Sequence, residues 1–240
     1  MFQEEDRDTG ILGVPLSPEV LRRIGGVKQF PPVSSGYRAD GDWEQSYRIF
    51  GCHGYVDTGN ETVGVLRLRR SAGNPFLLAV EQRIQHNNGH ETLEVKMSCR
   101  ADAIASPVSW TLTSRRFDAE GREIDDLRTT EKRTNGSDRV TSDFSLFEAV
   151  QRLPFAAPRV GPFEILEGMA LRRTGHRLYY SGERSFHHTG RGLLPYQYWL
   201  DESHRLLVVV TQWRAYILAD GAEAEQKQRR PRAGKKGGRQ

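Results

Sequence analysis

Three consecutive stretches decide the fold: Phe76-Leu77-Leu78-Ala79-Val80-Glu81-Gln82-Arg83-Ile84-Gln85-His86, then Asn87-Asn88-Gly89, then Glu91-Thr92-Leu93-Glu94-Val95-Lys96-Met97-Ser98-Cys99-Arg100. In the last of them Leu93, Val95, Met97 and Cys99 alternate with Glu94, Lys96, Ser98 and Arg100. A period of two sends apolar side chains to one face of a strand and charged ones to the other. Asn-Asn-Gly tolerates the left-handed backbone that a tight hairpin needs. The pair therefore belongs to an antiparallel sheet with one dry face and one wet face.

The same rhythm extends both ways. Upstream, Trp43 to Cys52 and Thr62 to Arg70 read as strands turned at Asp57-Thr58-Gly59-Asn60. Downstream, Trp110 to Phe117 and Glu123 to Lys132 make a second hairpin about Asp118-Ala119-Glu120-Gly121, and Arg139 to Ser142 is a short continuation. The rhythm breaks once, where Phe144, Phe147 and Val150 recur at helical spacing up to Leu153 and Pro154. Asp143 can cap that helix, which would lie on the sheet as a cover. Phe163 to Glu167, His176 to Phe186, Leu193 to Leu200 and Leu206 to Leu218 follow as strands. In the last of these Leu207, Val209, Thr211, Trp213, Ala215 and Ile217 share a face, and its first half is central in the sheet. The expected fold is mainly β, a curved antiparallel meander or half-open barrel with one inserted helix and a disordered basic C-terminal tail. No fixed-period repeat supports a solenoid or propeller.

Three segments emerge. Residues 1–41 are an irregular lead-in broken by glycines and prolines, with one short helix after Ser17 and Pro18 that would cover a sheet edge. Residues 42–220 form a single antiparallel domain, and 221–240 a disordered basic tail. The isoelectric point near 9.2 invites a nucleic-acid reading. Seven of the 35 Lys and Arg residues lie in 226–240 with no acid among them, leaving 28 basic against 31 acidic residues in the body. The body is therefore slightly acidic, and weak contact with an anionic polymer falls to the tail.

No stretch reaches the roughly 18 apolar residues of a membrane-spanning helix. The acidic start Met1-Phe2-Gln3-Glu4-Glu5-Asp6 lacks a secretory signal pattern. It places the protein in the cytoplasm if Met1 is the true start, and in the periplasm or outside if a leader has been removed. Two cysteines, Cys52 and Cys99, each fall in a strand; they pair if the strands are neighbours and otherwise fill the core. Asn60-Glu61-Thr62 and Asn135-Gly136-Ser137 match the glycosylation sequon.

Nucleophile-elbow, P-loop, HExxH and Rossmann patterns are absent. His86 and His90 face each other only if their hairpin loop has three residues, and no third metal ligand accompanies them. His187 and His188 diverge as strand neighbours and precede Gly190 and Gly192, at a loop mouth. His53 beside Cys52 diverges likewise. No metal and no cofactor is expected. Aromatics concentrate near the C-terminal strands: Tyr196 and Tyr198 on one face, Gln197 and Trp199 on the other. Packing of the sheet accounts for them, and so does a concave apolar cavity lined by Tyr180, Tyr196, Tyr198, Trp199, Trp213 and Phe147. These aromatics, interleaved with Arg173, Arg177 and Arg184, could also stack nucleotide bases.

Ser145-Leu146-Phe147-Glu148-Ala149-Val150-Gln151-Arg152-Leu153-Pro154 and Gly192-Leu193-Leu194-Pro195-Tyr196-Gln197-Tyr198-Trp199-Leu200-Asp201 give the chain a layout similar to bacterial envelope β-sheet proteins. In those lipoprotein-carrier-like and uncharacterised exported families, a curved sheet with an inserted helix wraps a hydrophobic groove. The resemblance implies a non-enzymatic module binding an apolar small molecule or a protein partner on its concave face, with no catalytic residue to carry over. The alternative is a hydrolase-like enzyme with a polar site near His187, His188 and Glu183.

Overall fold

The computed structural model of the protein describes residues 17–51, 62–86, 88–156 and 159–225. Within them the strands are β1 (Trp43–Gly51), β2 (Thr62–Ser71), β3 (Phe76–His86), β4 (Gly89–Cys99), β5 (Pro107–Phe117), β6 (Thr129–Thr134), β7 (Val140–Ser142), β8 (Val160–Glu167), β9 (Leu171–Gly182), β10 (Ser185–Gly190), β11 (Leu193–Leu200), β12 (Leu206–Val210) and β13 (Arg214–Ala219). All belong to one sheet in the order β6-β5-β4-β3-β2-β1-β13-β12-β11-β10-β9-β8-β7. Two runs of antiparallel neighbours thus meet where β1 pairs with β13, Tyr47 opposite Leu218. The mainly β, largely antiparallel half-open architecture agrees with the two-residue rhythm.

Three local expectations need correction. Arg139 to Ser142 does not continue the β6 hairpin: β7 leaves for the far edge and pairs parallel to β8, Thr141 opposite Ile165. There Thr141 Oγ1 donates to the Ile104 carbonyl at 2.5 Å and Ser142 Oγ approaches Met97 Sδ at 3.8 Å, so that edge folds back toward the base of β4 and the loop after it. Leu206 to Leu218 is not one strand but two. The turn between them carries no Gly, Pro or Asn; Thr211 makes it by donating its N–H and its hydroxyl to the Arg214 carbonyl at 2.8 Å and 3.0 Å and accepting the Arg214 N–H at Oγ1 at 3.2 Å. This reverses the chain, so Val209, Tyr216 and Leu218 face inward while Val208, Ala215, Ile217 and Ala219 face outward. Finally, residues 221–225, assigned to the tail, form helix α3 (Gly221–Glu225), whose Glu223 N–H is accepted by the Asp220 side chain at 2.7 Å.

Helix α1 (Pro18–Ile24) has Ser17 as its cap, the Val20 N–H reaching Ser17 Oγ at 3.3 Å. It covers no sheet edge. Leu21, Val27 and partly buried Phe30 lie with Phe50, Trp199, Val208 and Ile217 on the outer face of the central strands. Arg48 ties this layer down by donating to the Gly25 and Gly26 carbonyls at 3.1 Å and to the Glu223 carbonyl.

The inner face closes around helix α2 (Asp143–Arg152). Ser142, rather than Asp143, is its cap, accepting the Ser145 N–H at 2.9 Å. Phe144, Leu146, Phe147, Ala149 and Val150 are all buried, so the helix is a plug rather than a one-sided cover. Three polar residues, Ser145, Glu148 and Gln151, go in with it. Glu148, fully buried, meets Arg70 at 2.8 Å and Arg152 at 2.7 Å, while Arg70 also lies over the Phe76 ring. Gln151 Oε1 accepts from the Tyr37 hydroxyl at 2.7 Å, from Gln45 Nε2 at 2.8 Å and from the Leu206 N–H at 3.2 Å. Helix, lead-in and two strands are thereby stitched at one end of the lumen.

Cys99 is a free, buried thiol, its pKa pushed up to about 12 by burial. The readings placed on Met1 to Asp6, Cys52, His53, the turn at Asp57 to Asn60, the Asn60 sequon, Asn87 and the tail beyond 225 lie outside the described residues.

Removing one member of a buried charge cluster leaves the others desolvated and unpaired, at a cost of about 3–5 kcal/mol. Glu148→Ala should lower unfolding stability by that amount in urea denaturation; a loss below about 1 kcal/mol would contradict the pinning role.

Candidate functional site

Inward-facing side chains change character along the lumen. At the base, Phe76, Leu78, Val80, Val95, Met97 and Cys99 are buried against α2. Toward the other end, where β1 finishes and β13 begins, the inward positions Gln82, Leu93 and Ser114 are only half-buried. Helix α2 begins beside the β8–β9 turn, Asp143 Oδ2 accepting the Gly168 N–H at 2.9 Å, with Ser142 and Ser145 against Met97. It ends at the base, where Arg152 donates to the Asp102 carbonyl at 2.7 Å. The plug fills the base and leaves the mouth half of the concave face in contact with solvent.

Around the first turns of α2, aromatic and polar groups converge. Phe147 sets its ring edge-on against Tyr47, Tyr198 and Tyr216, centroids 5.8, 6.1 and 5.3 Å apart. Tyr196 and Tyr198 share the inner face of β11, and Tyr196 pairs across the strands with His188. His188 Nε2 lies 2.8 Å from His176 Nδ1 on β9, and Phe163 stacks on the His188 ring at 5.7 Å. A Cβ at Gly190 would overlap the His176 imidazole, so only glycine allows the ring this place. Among the described residues, Tyr198 Oη and His188 Nδ1 are buried without a hydrogen-bond partner. The two stand diagonally on adjacent strands, about 7–8 Å apart at the backbone.

Burial sets the electrostatics. It pushes the phenols of Tyr196, Tyr198 and Tyr216 upward, with nearby Asp143 adding to each, so all three keep their protons at neutral pH. Burial also raises the Asp143 carboxyl to about 6, against the opposing pull of the Gly168 and Phe144 N–H groups. It lowers His188 to about 3, with His176 beside it as a second cause, and lowers His176 too, helped by Arg173. The imidazoles are therefore a neutral pair at neutral pH. If His188 Nε2 donates to His176, His188 Nδ1 offers a lone pair; if His176 donates, His188 Nδ1 offers a proton. The arrangement can meet either polarity of a polar group placed beside it.

Of the residues expected to line a cavity, Phe147, Tyr196 and Tyr198 come together here. Tyr180 lies on the same face nearer the base, half-buried between Phe155 and Phe186. Trp199 and Trp213 do not join them. Strand alternation puts Trp199 on the outer face under α1, and the unforeseen turn leaves Trp213 60% exposed. Clefts of about 410 and 380 Å³ lie elsewhere, one across the outer face of β2 to β6 and one beside the lead-in at Pro31 and Tyr37.

The alternative polar site does not assemble. His187 and His188 sit within β10, not in a loop mouth; His188 is buried inward and its neighbour faces the other way. Glu183 occupies the β9–β10 turn, five residues from His188, about 16 Å along the strand. The β3–β4 connection has two residues, so His86 opposes Gly89; His86 Nε2 lies 3.6 Å from Glu91 and His90 stacks on Phe117. Among the described residues no group of three or more His, Cys, Asp or Glu is gathered for a metal. Sequence reading missed Tyr216, His176 and Asp143. His176 was recoverable, since it shares parity with inward Leu178 and Tyr180, whereas Tyr216 was hidden by the turn.

The histidine pair makes stability depend on pH with a definite sign. Unfolded imidazoles take up protons near 6.5, whereas folded His188 resists until about 3. Its contribution is whole above pH 6.5 and is lost progressively as pH falls from there toward 3. Asp143 acts oppositely, favouring the fold as pH drops from 6 to its ordinary 3.8. Between pH 7 and 4.5 His188 should cost about 2.7 kcal/mol and Asp143 return about 2, so urea denaturation should show a net loss on the order of 1 kcal/mol that His188→Gln removes. An unchanged slope in that variant would remove the pair as the cause.

Comparison with family models, curated proteins and solved structures finds no match for this chain.

Proposed function

We propose that the protein is a non-enzymatic binding module that takes a largely apolar small molecule with one polar group into the mouth half of its concave face. The observation carrying this reading is the pairing of a dry aromatic wall with unsatisfied polarity: Phe147 packs edge-on against Tyr198 and Tyr216, Tyr196 packs against His188, and buried Tyr198 Oη and His188 Nδ1 have no hydrogen-bond partner among the described residues. A buried polar atom left unpaired costs about 1–3 kcal/mol, so a ligand group that bonds it gains more than at a solvated site. The aromatic rings supply area, and the polar pair supplies orientation.

The resemblance read from the sequence implies the same kind of ligand, and a protein partner on the concave face fits less well. The half-buried positions Gln82, Leu93 and Ser114 lie inside the curve of the sheet, where a molecular surface of standard interface size would have to enter a lumen already occupied by α2.

Native mass spectrometry of protein purified from its own host should show a bound species of small-molecule mass. Tyr198→Phe keeps the ring and deletes the hydroxyl, and should release that species or weaken rebinding at least tenfold. Repeated preparations free of any adduct, together with no displacement of a fluorescent acyl-chain probe, would overturn the reading.

A further inference from the structure

Tyr198 Oη on β11 and His188 Nδ1 on β10 belong to side chains that are almost wholly buried, at 0% and 1% exposure, and neither atom has a hydrogen-bond partner among the described residues. Their bonding abilities limit what can stand between them. A phenol both donates and accepts. The imidazole does one or the other, according to which ring donates in the 2.8 Å contact between His176 Nδ1 and His188 Nε2. A ligand carbonyl or ether oxygen only accepts and an ammonium only donates, so each suits one form of the imidazole. A hydroxyl suits both. Where His188 Nδ1 holds a lone pair, the hydroxyl donates to it and accepts from Tyr198; where Nδ1 holds a proton, the hydroxyl accepts it and donates to Tyr198 Oη.

The surroundings select on charge as well. Asp143 is the ion that bears on Tyr198, and the neighbour that bears on His188 is His176, itself neutral at neutral pH. Both Asp143 oxygens are taken up by backbone donors, the Phe144 N–H at 3.0 Å and the Gly168 N–H at 2.9 Å. Of the cations that act on the neighbouring tyrosines, Arg173 is held by Glu167 at 2.7 Å, and Arg214 acts on Tyr216, two strands from Tyr198. A carboxylate brought between Tyr198 and His188 would lose its water, gain no cation and meet Asp143. A row of cations does exist on the opposite face of the sheet. There register aligns Arg69, Ala79, Lys96, Thr111 and Lys132 across the outer cleft of about 410 Å³. The sheet itself separates that row from the tyrosines.

We propose that the polar group of the ligand is an uncharged hydroxyl bridging Tyr198 Oη and His188 Nδ1, so that the protein takes a long-chain alcohol or another hydroxyl-bearing neutral lipid and rejects the corresponding fatty-acid anion. The inference rests on the apolar-ligand reading above and narrows it to one chemical class. A buried water would satisfy the same two atoms, and the ligand hydroxyl must therefore displace it.

Displacement of a fluorescent acyl-chain ester from the full chain at neutral pH should be compared for dodecanol, for dodecanoate and for dodecyl methyl ether, which accepts but does not donate. Dodecanol should displace the probe at roughly tenfold lower concentration than either of the others, the worth of about one buried hydrogen bond. Tyr198→Phe should bring dodecanol and the ether within about threefold of each other. In ligand-free protein the same variant should unfold in urea at an equal or higher midpoint, because it removes a hydroxyl that bonds nothing. A lower midpoint would show that hydroxyl already partnered and overturn the inference. Equal displacement by dodecanol and its ether would assign the two atoms to water and overturn it too, as would dodecanoate matching dodecanol. Those displacement results leave the apolar-ligand reading standing, since the chain still binds; displacement by none of the three overturns both.

Discussion

The interior depends on how α2 is held inside the curve of the sheet. An apolar helix in an apolar lumen could slide or rotate at little cost, because dispersion contacts are nearly directionless. Glu148 and Gln151 remove that freedom. Fixed partners on β2, β1, β12 and the lead-in meet each of them, and any shift leaves a buried charge or amide unsatisfied. With the base thus fixed, Phe147 can rest against three tyrosines, and the mouth half of the concave face keeps its shape without filling.

That arrangement was partly legible in the sequence. Alternation over Leu93 to Cys99 and the helical spacing of Phe144, Phe147 and Val150 are short-range signals, and both elements stand where those residues predict. What failed carries no mark in composition or period. The Thr211 to Trp213 turn is closed by a threonine side chain rather than by glycine, so nothing in composition marks it, and missing it inverted the facing of every residue up to Leu218. The parallel pairing of β7 with β8 is equally unmarked, since three residues carry no period of their own.

The candidate site divides along the same line. Tyr196 and Tyr198 were assignable to one face by parity, and Trp199 to the other, so their cavity could never have included all three. The His176–His188 contact needed the register of β9 on β10 and the empty side of Gly190, which a single sequence does not display. Charge behaved similarly: the tail's excess was countable, but the line of Arg69, Lys96 and Lys132 spans five strands and exists only once those strands are aligned.

The two faces of the sheet also follow opposite electrostatic rules. Inside, low dielectric drives groups to neutrality: His188 stays unprotonated, the tyrosines stay protonated and Asp143 is raised toward 6. A ligand there is selected by hydrogen-bond geometry against neutral partners, so its affinity should respond little to salt. Outside, the cations of the cleft are solvated and interact over a Debye length of about 8–10 Å, comparable to their own spacing. A polyanion meeting them would be selected by charge density, with an affinity that falls as salt rises. Because the same thirteen strands separate the two surfaces, the salt response of any bound species indicates which face holds it.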